Sequence, residues 1–344
     1  MTVITRDLLT RLPKAELHCH LDGSVRPATL LELGREYRVA MPRDDAEALG
    51  EYMIVRDARS LEDYLTRFDV TLSVMQHADA IERIAYELAT DAAREGVLYL
   101  ETRFAPNLND RAGLEWGAVL EASLRGLERA ERESGIVGRV IVCSLRHLTP
   151  EVSLELARLA VAYRDRGVVA FDLAGGEAGH PAAPHAPAFQ HAREHGLHCT
   201  CHAGEGAGAA SVAEAVHLCG AERIGHATRL IEDPTLVDEV RSDEIALEIC
   251  LTSNVQTHAT SSYAAHPLRQ YMDQGMRVVL NTDNRLMSGV NLVDEYDVAA
   301  RTFGLGFDEL ATLALNGFDA AFLPDAERAR LRALAVSRLE AMRT

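Results

Sequence analysis

The chain has 344 residues, is 47% hydrophobic and carries a formal net charge of −17. It is long enough for two domains or for one large α/β barrel. Its charge argues against nucleic acid as a partner, because phosphate binding needs a basic surface. No apolar run reaches the ~18 residues that span a bilayer, and Met1–Arg6 lacks the apolar centre of a signal peptide, so a cytoplasmic protein is expected.

Lys14–His20 has strand character and then delivers His18, His20, Asp22 and Gly23 in quick succession. Residues i and i+2 of a strand share a face, so His18 and His20 project together and Cys19 points away. Two parallel imidazoles at a strand end are half of a metal site, or a surface strand that carries two histidines. A helix over 26–38 follows, then a helical insertion over 44–94. Within it Leu61, Tyr64, Leu65 and Phe68 recur at helical spacing, a stripe that packs into a core or closes over a pocket.

From Val97 the pattern alternates. Strands are predicted at 97–105, 139–146, 168–174, 197–203, 223–227, 245–251 and 277–282. Helices are predicted at 114–134, 150–166, 187–195, 211–219, 234–241 and 267–274, with more helix to the C-terminus. Counting the opening strand, eight strand–helix units imply a parallel sheet closed into a (β/α)₈ TIM barrel. No Gly-x-Gly-x-x-Gly follows the first strand, which argues against an open doubly wound sheet. No linker or composition break divides the chain, so residues 1–344 are expected to form one domain with a helical insertion after the first strand.

In such a barrel the chemistry gathers where the strands end. Those ends carry His18, His20 and Asp22; Glu101 and Arg103; Arg146 and His147; Asp172 with Gly175; His202 and Glu205; His226; and Asp283 with Asn284. Cys199 and Cys201 lie opposite His202 in strand parity, which makes them poor ligands. The six cysteines instead read as buried thiols in a reducing compartment. His18, His20, His202 and Asp283 give three nitrogens and one oxygen, a catalytic zinc set with room for a water. Strand four ends Phe171-Asp172-Leu173-Ala174-Gly175, without the lysine that bridges a second metal in such barrels, so one metal is expected. The cluster His180, His185, His191, His195 and His198 lacks the glutamate of a His-Glu-x-x-His motif and reads as structural.

The ordered set Lys14–Asp22, Asp172–Gly175, His202-Ala203-Gly204-Glu205, Gly225-His226 and Asn281-Thr282-Asp283 resembles the adenosine deaminase family of the amidohydrolase superfamily, over nearly the whole chain. The resemblance implies a (β/α)₈ barrel with one Zn²⁺ per subunit held by His18, His20, His202 and Asp283. It implies that Glu205 protonates purine N1 and that His226 orients and activates the attacking water. The Gly175 N–H would meet N3, Asp22 the ribose 5′ hydroxyl, and Leu61, Tyr64, Leu65 and Phe68 would form an apolar lid over the nucleoside. Burial of Glu205 would keep it protonated near neutrality, as an acid aimed at a ring nitrogen requires.

Two positions depart from the family pattern. Asn284 stands where a second aspartate is common; an amide donates to N7 without needing protonation. Ala105 stands where well-studied animal enzymes have serine. The implied activity is hydrolysis of adenosine or 2′-deoxyadenosine to the inosine product and ammonia. The same chemistry on 6-aminodeoxyfutalosine or adenine is the alternative; Arg56 and Arg59 near the lid could meet a carboxylate, although solvated surface charge is the commoner role of such residues. An ester or lactone hydrolase would have no evident use for Glu205. A non-catalytic nucleoside-binding protein would be expected to lack a ligand or the acid.

Overall fold

A computed structural model of the chain describes residues 3–56, 58 and 60–343. Eight strands run β1 Lys14–His20, β2 Val97–Phe104, β3 Val137–Leu145, β4 Val168–Ala174, β5 His198–Ala203, β6 Arg223–His226, β7 Ala246–Ile249 and β8 Val278–Leu280. They pair in sequence order, and every pair is parallel. A bridge between Cys19 and Asp283 joins the last strand to the first. Asp283 N–H donates to the His18 carbonyl at 2.9 Å, and His20 N–H to the Asp283 carbonyl at 2.7 Å. Below that bridge the Asn281 side chain substitutes for backbone, its Oδ1 accepting N–H from Leu17 at 2.8 Å and from His18 at 3.1 Å. The result is the (β/α)₈ barrel expected from the alternation.

Between β1 and β2 the chain forms helices at Pro27–Tyr37, Ala46–Met53, Leu61–Leu65, Phe68–Leu72 and Ala78–Arg94. The Ala46 helix is capped by Asp45 and the Leu61 helix by Ser60, whose side chains accept first-turn N–H groups.

The clearest departure from the sequence reading is at β7. The apolar run to Leu251 suggests a strand through 251, yet the strand stops at Ile249 and a helix runs Leu251–Gln256. The buried Glu295 carboxylate accepts the Leu251 N–H at 2.8 Å and the Thr252 N–H at 3.2 Å, holding that helix start. A distant cap therefore overrides local strand propensity.

The barrel interior is not a stack of branched apolar side chains. Arg103 donates to Asp172 at 3.0 Å and to Glu248 at 2.8 Å, and Arg223 donates to Glu248 at 2.6 Å and also to Glu101. All five side chains are fully buried. Buried charges persist only when paired and hydrogen-bonded, and this lattice presents Asp172 and Glu248 upward to the site. Cys19, Cys199 and Cys201 lie in the apolar layer under the helices, and all six cysteines are free and buried.

Candidate active site

At the C-terminal mouth of the barrel the strand ends bring His18, His20, His202, His226, Asp283 and Glu205 together. His18 Nε2 lies 3.3 Å from Asp283 Oδ1, and His20 Nε2 lies 3.2 Å from the same oxygen. His20 Nε2 and His202 Nε2 are 3.2 Å apart. His18, His202, His226 and Asp283 each offer a donor atom within 4.8 Å of the others, a buried group that could hold a metal ion. Nitrogen and oxygen ligands about 2.0–2.2 Å from one tetrahedral centre stand about 3.3–3.5 Å apart, close to these separations. His18 Nε2 is buried with no hydrogen-bond partner, as a ligand nitrogen facing a cation would be.

The outer contacts sort the imidazoles. His18 Nδ1 meets Glu248 Oε2 at 2.8 Å, and His202 Nδ1 meets Asp172 Oδ1 at 3.1 Å. A carboxylate on Nδ1 keeps the proton there and leaves Nε2 bare, the usual support for a metal-binding histidine. His226 differs: its Nδ1 faces the Asn254 amide nitrogen at 2.9 Å, and its Nε2 lies 3.5 Å from Glu205 Oε2. Asp283 Oδ2 accepts from Ser253 Oγ at 2.6 Å.

Backbone conformation aims these groups. His226 and Asp283 both adopt positive φ, at 64° and 59°, a conformation L-residues rarely take and one that concentrates at functional sites. Gly225 leaves room for His18: a Cβ there would lie 2.9 Å from His18 Cε1. Gly23 does the same for Asn284, whose Oδ1 would lie 2.0 Å from a Cβ.

Burial raises the pKa of Glu205, the nearby Asp283 and Glu177 adding to the rise while His226 and His202 oppose it. Asp22 is also buried, which pushes its carboxyl up to about 7, and its Oδ1 finds no partner. Burial lowers His18 and takes His20 well below the ordinary histidine value. For His202 burial is outweighed by Asp172, and its pKa is raised.

A cavity of about 270 Å³ opens beside His20 and is lined by Asp22, Leu65, Phe68, Ala105, Arg111, His147 and Gly175 among others. Leu61, Tyr64 and Asn284 are not part of that lining. Tyr64 is buried and its hydroxyl meets Ser288 Oγ at 3.1 Å; Leu61 packs near Gly206. The Phe68 ring stands edge-on to His20 with centroids 6.3 Å apart. Arg56 pairs with Glu51 at 2.6 Å on the surface, and Arg59 lies outside the described residues. The His191 and His195 rings lie tilted by 39° with centroids 4.2 Å apart at the end of their helix, away from the strand ends.

Sequence reasoning missed Ser253 and Asn254, which fall in the unassigned stretch between the predicted strand 245–251 and the predicted helix 267–274. The polar triplet Thr252-Ser253-Asn254 directly after an apolar strand was the available signal. It also missed Glu177, whose carboxylate accepts the N–H groups of Gly204, Glu205, Gly206 and Ala207 at 2.6–3.0 Å.

A sequence profile described as adenosine deaminase matches residues 13–337. The chain belongs to the adenosine deaminase family. An adenosine deaminase of Mycobacterium sp. (strain KMS) is 39% identical over 348 residues, covering 96% of each chain. A probable adenosine deaminase of Dictyostelium discoideum is 43% identical over 322 residues; the match spans 93% of this chain but only 42% of that protein. Among solved structures, adenine deaminase from Arthrobacter aurescens superposes with a TM-score of 0.89 at 26% identity, over 95% of this chain and 99% of that one. An amidohydrolase from Burkholderia ambifaria with bound zinc gives 0.88 at 27% identity, over 99% and 95%.

Proposed function

We propose that this member of the adenosine deaminase family hydrolyses adenosine and 2′-deoxyadenosine to inosine and 2′-deoxyinosine with release of ammonia. The observation that carries the reading is the buried Glu205 carboxyl 3.5 Å from His226 Nε2, beside a convergent His/Asp group. The chain 1–344 acts as one domain, and the helices within 44–94 serve as its lid.

His18, His20, His202 and Asp283 would hold one zinc ion per subunit. Support comes from the bare Nε2 of His18, the donor separations of 3.2–3.3 Å and the carboxylates behind His18 and His202. Three imidazoles and a carboxylate suit zinc, and the Burkholderia relative contains it. When bound, the ion lowers the pKa of water to about 7, so hydroxide is available near neutral pH.

The chain's own residues do the rest. Glu205, protonated, gives its proton to N1 as the oxygen of water bonds to C6. That transfer lets the ring accept the electron pair. His226 Nε2 holds the attacking oxygen on the correct face. Breaking of the C6–N6 bond then releases ammonia: one of the two water protons leaves on N6, the other returns to the Glu205 carboxylate, and the 6-oxopurine remains. Phe68 and Leu65 exclude water from the cavity, which strengthens these polar contacts. The Gly175 N–H meets N3 and the Asn284 amide donates to N7. Leu61 and Tyr64 back the lid from behind.

Asp22 supports a nucleoside. A buried carboxyl with an unpartnered oxygen meets a 5′ hydroxyl readily. Arg56 is exposed and pairs with Glu51, which supports a solvated surface charge rather than a partner for a substrate carboxylate. The enzyme acts in the cytoplasm on a small purine, with neither nucleic acid nor membrane as partner. Six free buried cysteines and a net charge of −17 support this, and no helix among the described residues is long and apolar enough to cross a bilayer.

The test is ammonia release by zinc-loaded protein from adenosine, 2′-deoxyadenosine, adenine, 6-aminodeoxyfutalosine and AMP. The highest kcat/KM is expected on the two nucleosides. Turnover of adenine alone would move the assignment to the free base, and no release from any of them would end the deaminase reading.

A further inference from the structure

The imidazole of His226 stands at the end of a hydrogen-bond chain that starts at a backbone amide. Leu268 N–H donates to His266 Nδ1 at 3.0 Å. His266 Nε2 lies 3.1 Å from Asn254 Oδ1, and Asn254 Nδ2 lies 2.9 Å from His226 Nδ1. All three side chains are buried.

Each link has one permitted direction. A backbone N–H can only donate, so His266 Nδ1 must accept. Burial lowers the His266 pKa to about 3, so at working pH this ring carries a single proton, and it sits on Nε2. That proton goes to Asn254 Oδ1, which turns the amide nitrogen toward His226. His226 Nδ1 must then accept, and its ring proton lies on Nε2. Reversing the amide would aim donors at both nitrogens of His266 and set one N–H against another. The orientation therefore follows from donor and acceptor chemistry rather than from choice.

We propose that Asn254 and His266 are positioning residues that lock His226 as an Nε2–H donor aimed at the attacking oxygen and Glu205. This rests on the deaminase reading above and deepens it. A protonated Nε2 has no lone pair for a metal, so His226 stands among the donor atoms of the centre without being a ligand. The same proton bars Nε2 from taking a proton from water. His226 instead holds the oxygen by donation and stabilises negative charge as it builds there. His18 and His202, backed by carboxylates, present the opposite tautomer from the same face.

Imidazole nitrogen NMR shifts of histidine-labelled protein test this, with and without zinc. His226 should show a protonated Nε2 and a bare Nδ1 in both states. In Asn254→Asp a carboxylate accepts from both neighbouring rings, so the His226 proton should move to Nδ1. The kcat on adenosine should then fall about 100-fold or more, with KM nearly unchanged. His266→Gln offers a donor and an acceptor at similar spacing and should keep both the wild-type signature and most of kcat. His266→Leu should lose both. A proton on Nδ1 in the wild type overturns the lock, and undiminished kcat in Asn254→Asp with the reversed tautomer overturns its role. The NMR signature needs no turnover. Protein that shows it yet releases no ammonia therefore supports the lock and refutes the deaminase reading instead.

Discussion

Glu177 Oε2 accepts the backbone N–H of Glu205 at 2.9 Å. The same carboxylate takes the N–H groups of Gly204, Gly206 and Ala207, so one buried side chain holds the whole turn that carries Glu205. Each hydrogen bond to a charged acceptor contributes about 1.5–3 kcal/mol, and an unpaired buried donor costs a similar amount. In Glu177→Gln one oxygen becomes an amide nitrogen facing N–H groups. The expected result is a loss of kcat of about 10- to 100-fold, because a carboxyl displaced by a fraction of an ångström no longer reaches N1. Metal content should stay at the wild-type level. Steady-state kinetics beside metal analysis decide it, and unchanged kcat would show that the turn holds its shape without Glu177.

Gly225 gives a second prediction. A methyl group there would come within 2.9 Å of His18 Cε1. The ring cannot yield freely, because Glu248 fixes its Nδ1 at 2.8 Å. Overpacking of this kind costs about 1–3 kcal/mol. Gly225→Ala should therefore weaken zinc binding by about 10-fold or more, since 1.4 kcal/mol is a factor of ten. Competition with a fluorescent chelator measures this. Affinity equal to the wild type would show that His18 has room to move.

The first six strands and the mouth of the barrel were legible because their signals are local. Alternating strands and helices fix the barrel, and polar residues at strand ends fall where the fold collects them. His18, His20, His202, Glu205, His226 and Asp283 were all visible in this way. What was hidden depends on partners far away in sequence. Glu295 caps the Leu251 helix from 44 residues on and so ends β7 early. Asn254 and His266 look like ordinary loop residues until the fold sets them behind His226. Glu177 looks like one more surface acid until the turn after β5 wraps around it. The cross-barrel lattice of Arg103, Asp172, Glu248 and Arg223 was hidden too, since pairing across a barrel leaves no mark on any one strand.

Lys14, at the base of β1, offers a test of burial by pH. Its ammonium is sealed under Leu9 and Leu12, whose carbonyls accept from it at 2.6 and 2.7 Å. Burial lowers its pKa from 10.5 to about 7. Between those values the unfolded chain binds a proton that the folded chain does not, so stability rises with pH. The contribution is complete above 10.5, falls as pH drops toward 7 and is flat below that. In Lys14→Met this dependence disappears. The wild type should gain on the variant between pH 7 and 10, by at most about 5 kcal/mol. Urea unfolding at several pH values reads the difference. A constant gap across that range would show that Lys14 keeps its charge inside the fold.

Glu205 gives the sharpest test of the mechanism. Burial raises its pKa, and the charges of Asp283 and Glu177 push the same way. In the proposed mechanism the protonated form donates to N1, so the alkaline side of the pH–rate profile should fall as pH rises through that raised pKa. Glu205→Gln fills the same space with a group that cannot transfer a proton. It should keep zinc and the wild-type Tm, bind purine nucleosides, and lose about 10²–10⁴-fold in kcat. His202→Ala is the contrasting variant: it removes a proposed ligand and should lose zinc and turnover together. Excess zinc should raise the Tm of Glu205→Gln as it does the wild type, since any ligand that binds only the folded state stabilises it. Loss of metal in Glu205→Gln would make the carboxylate a ligand rather than the acid. Retained turnover would place the proton donor on another residue.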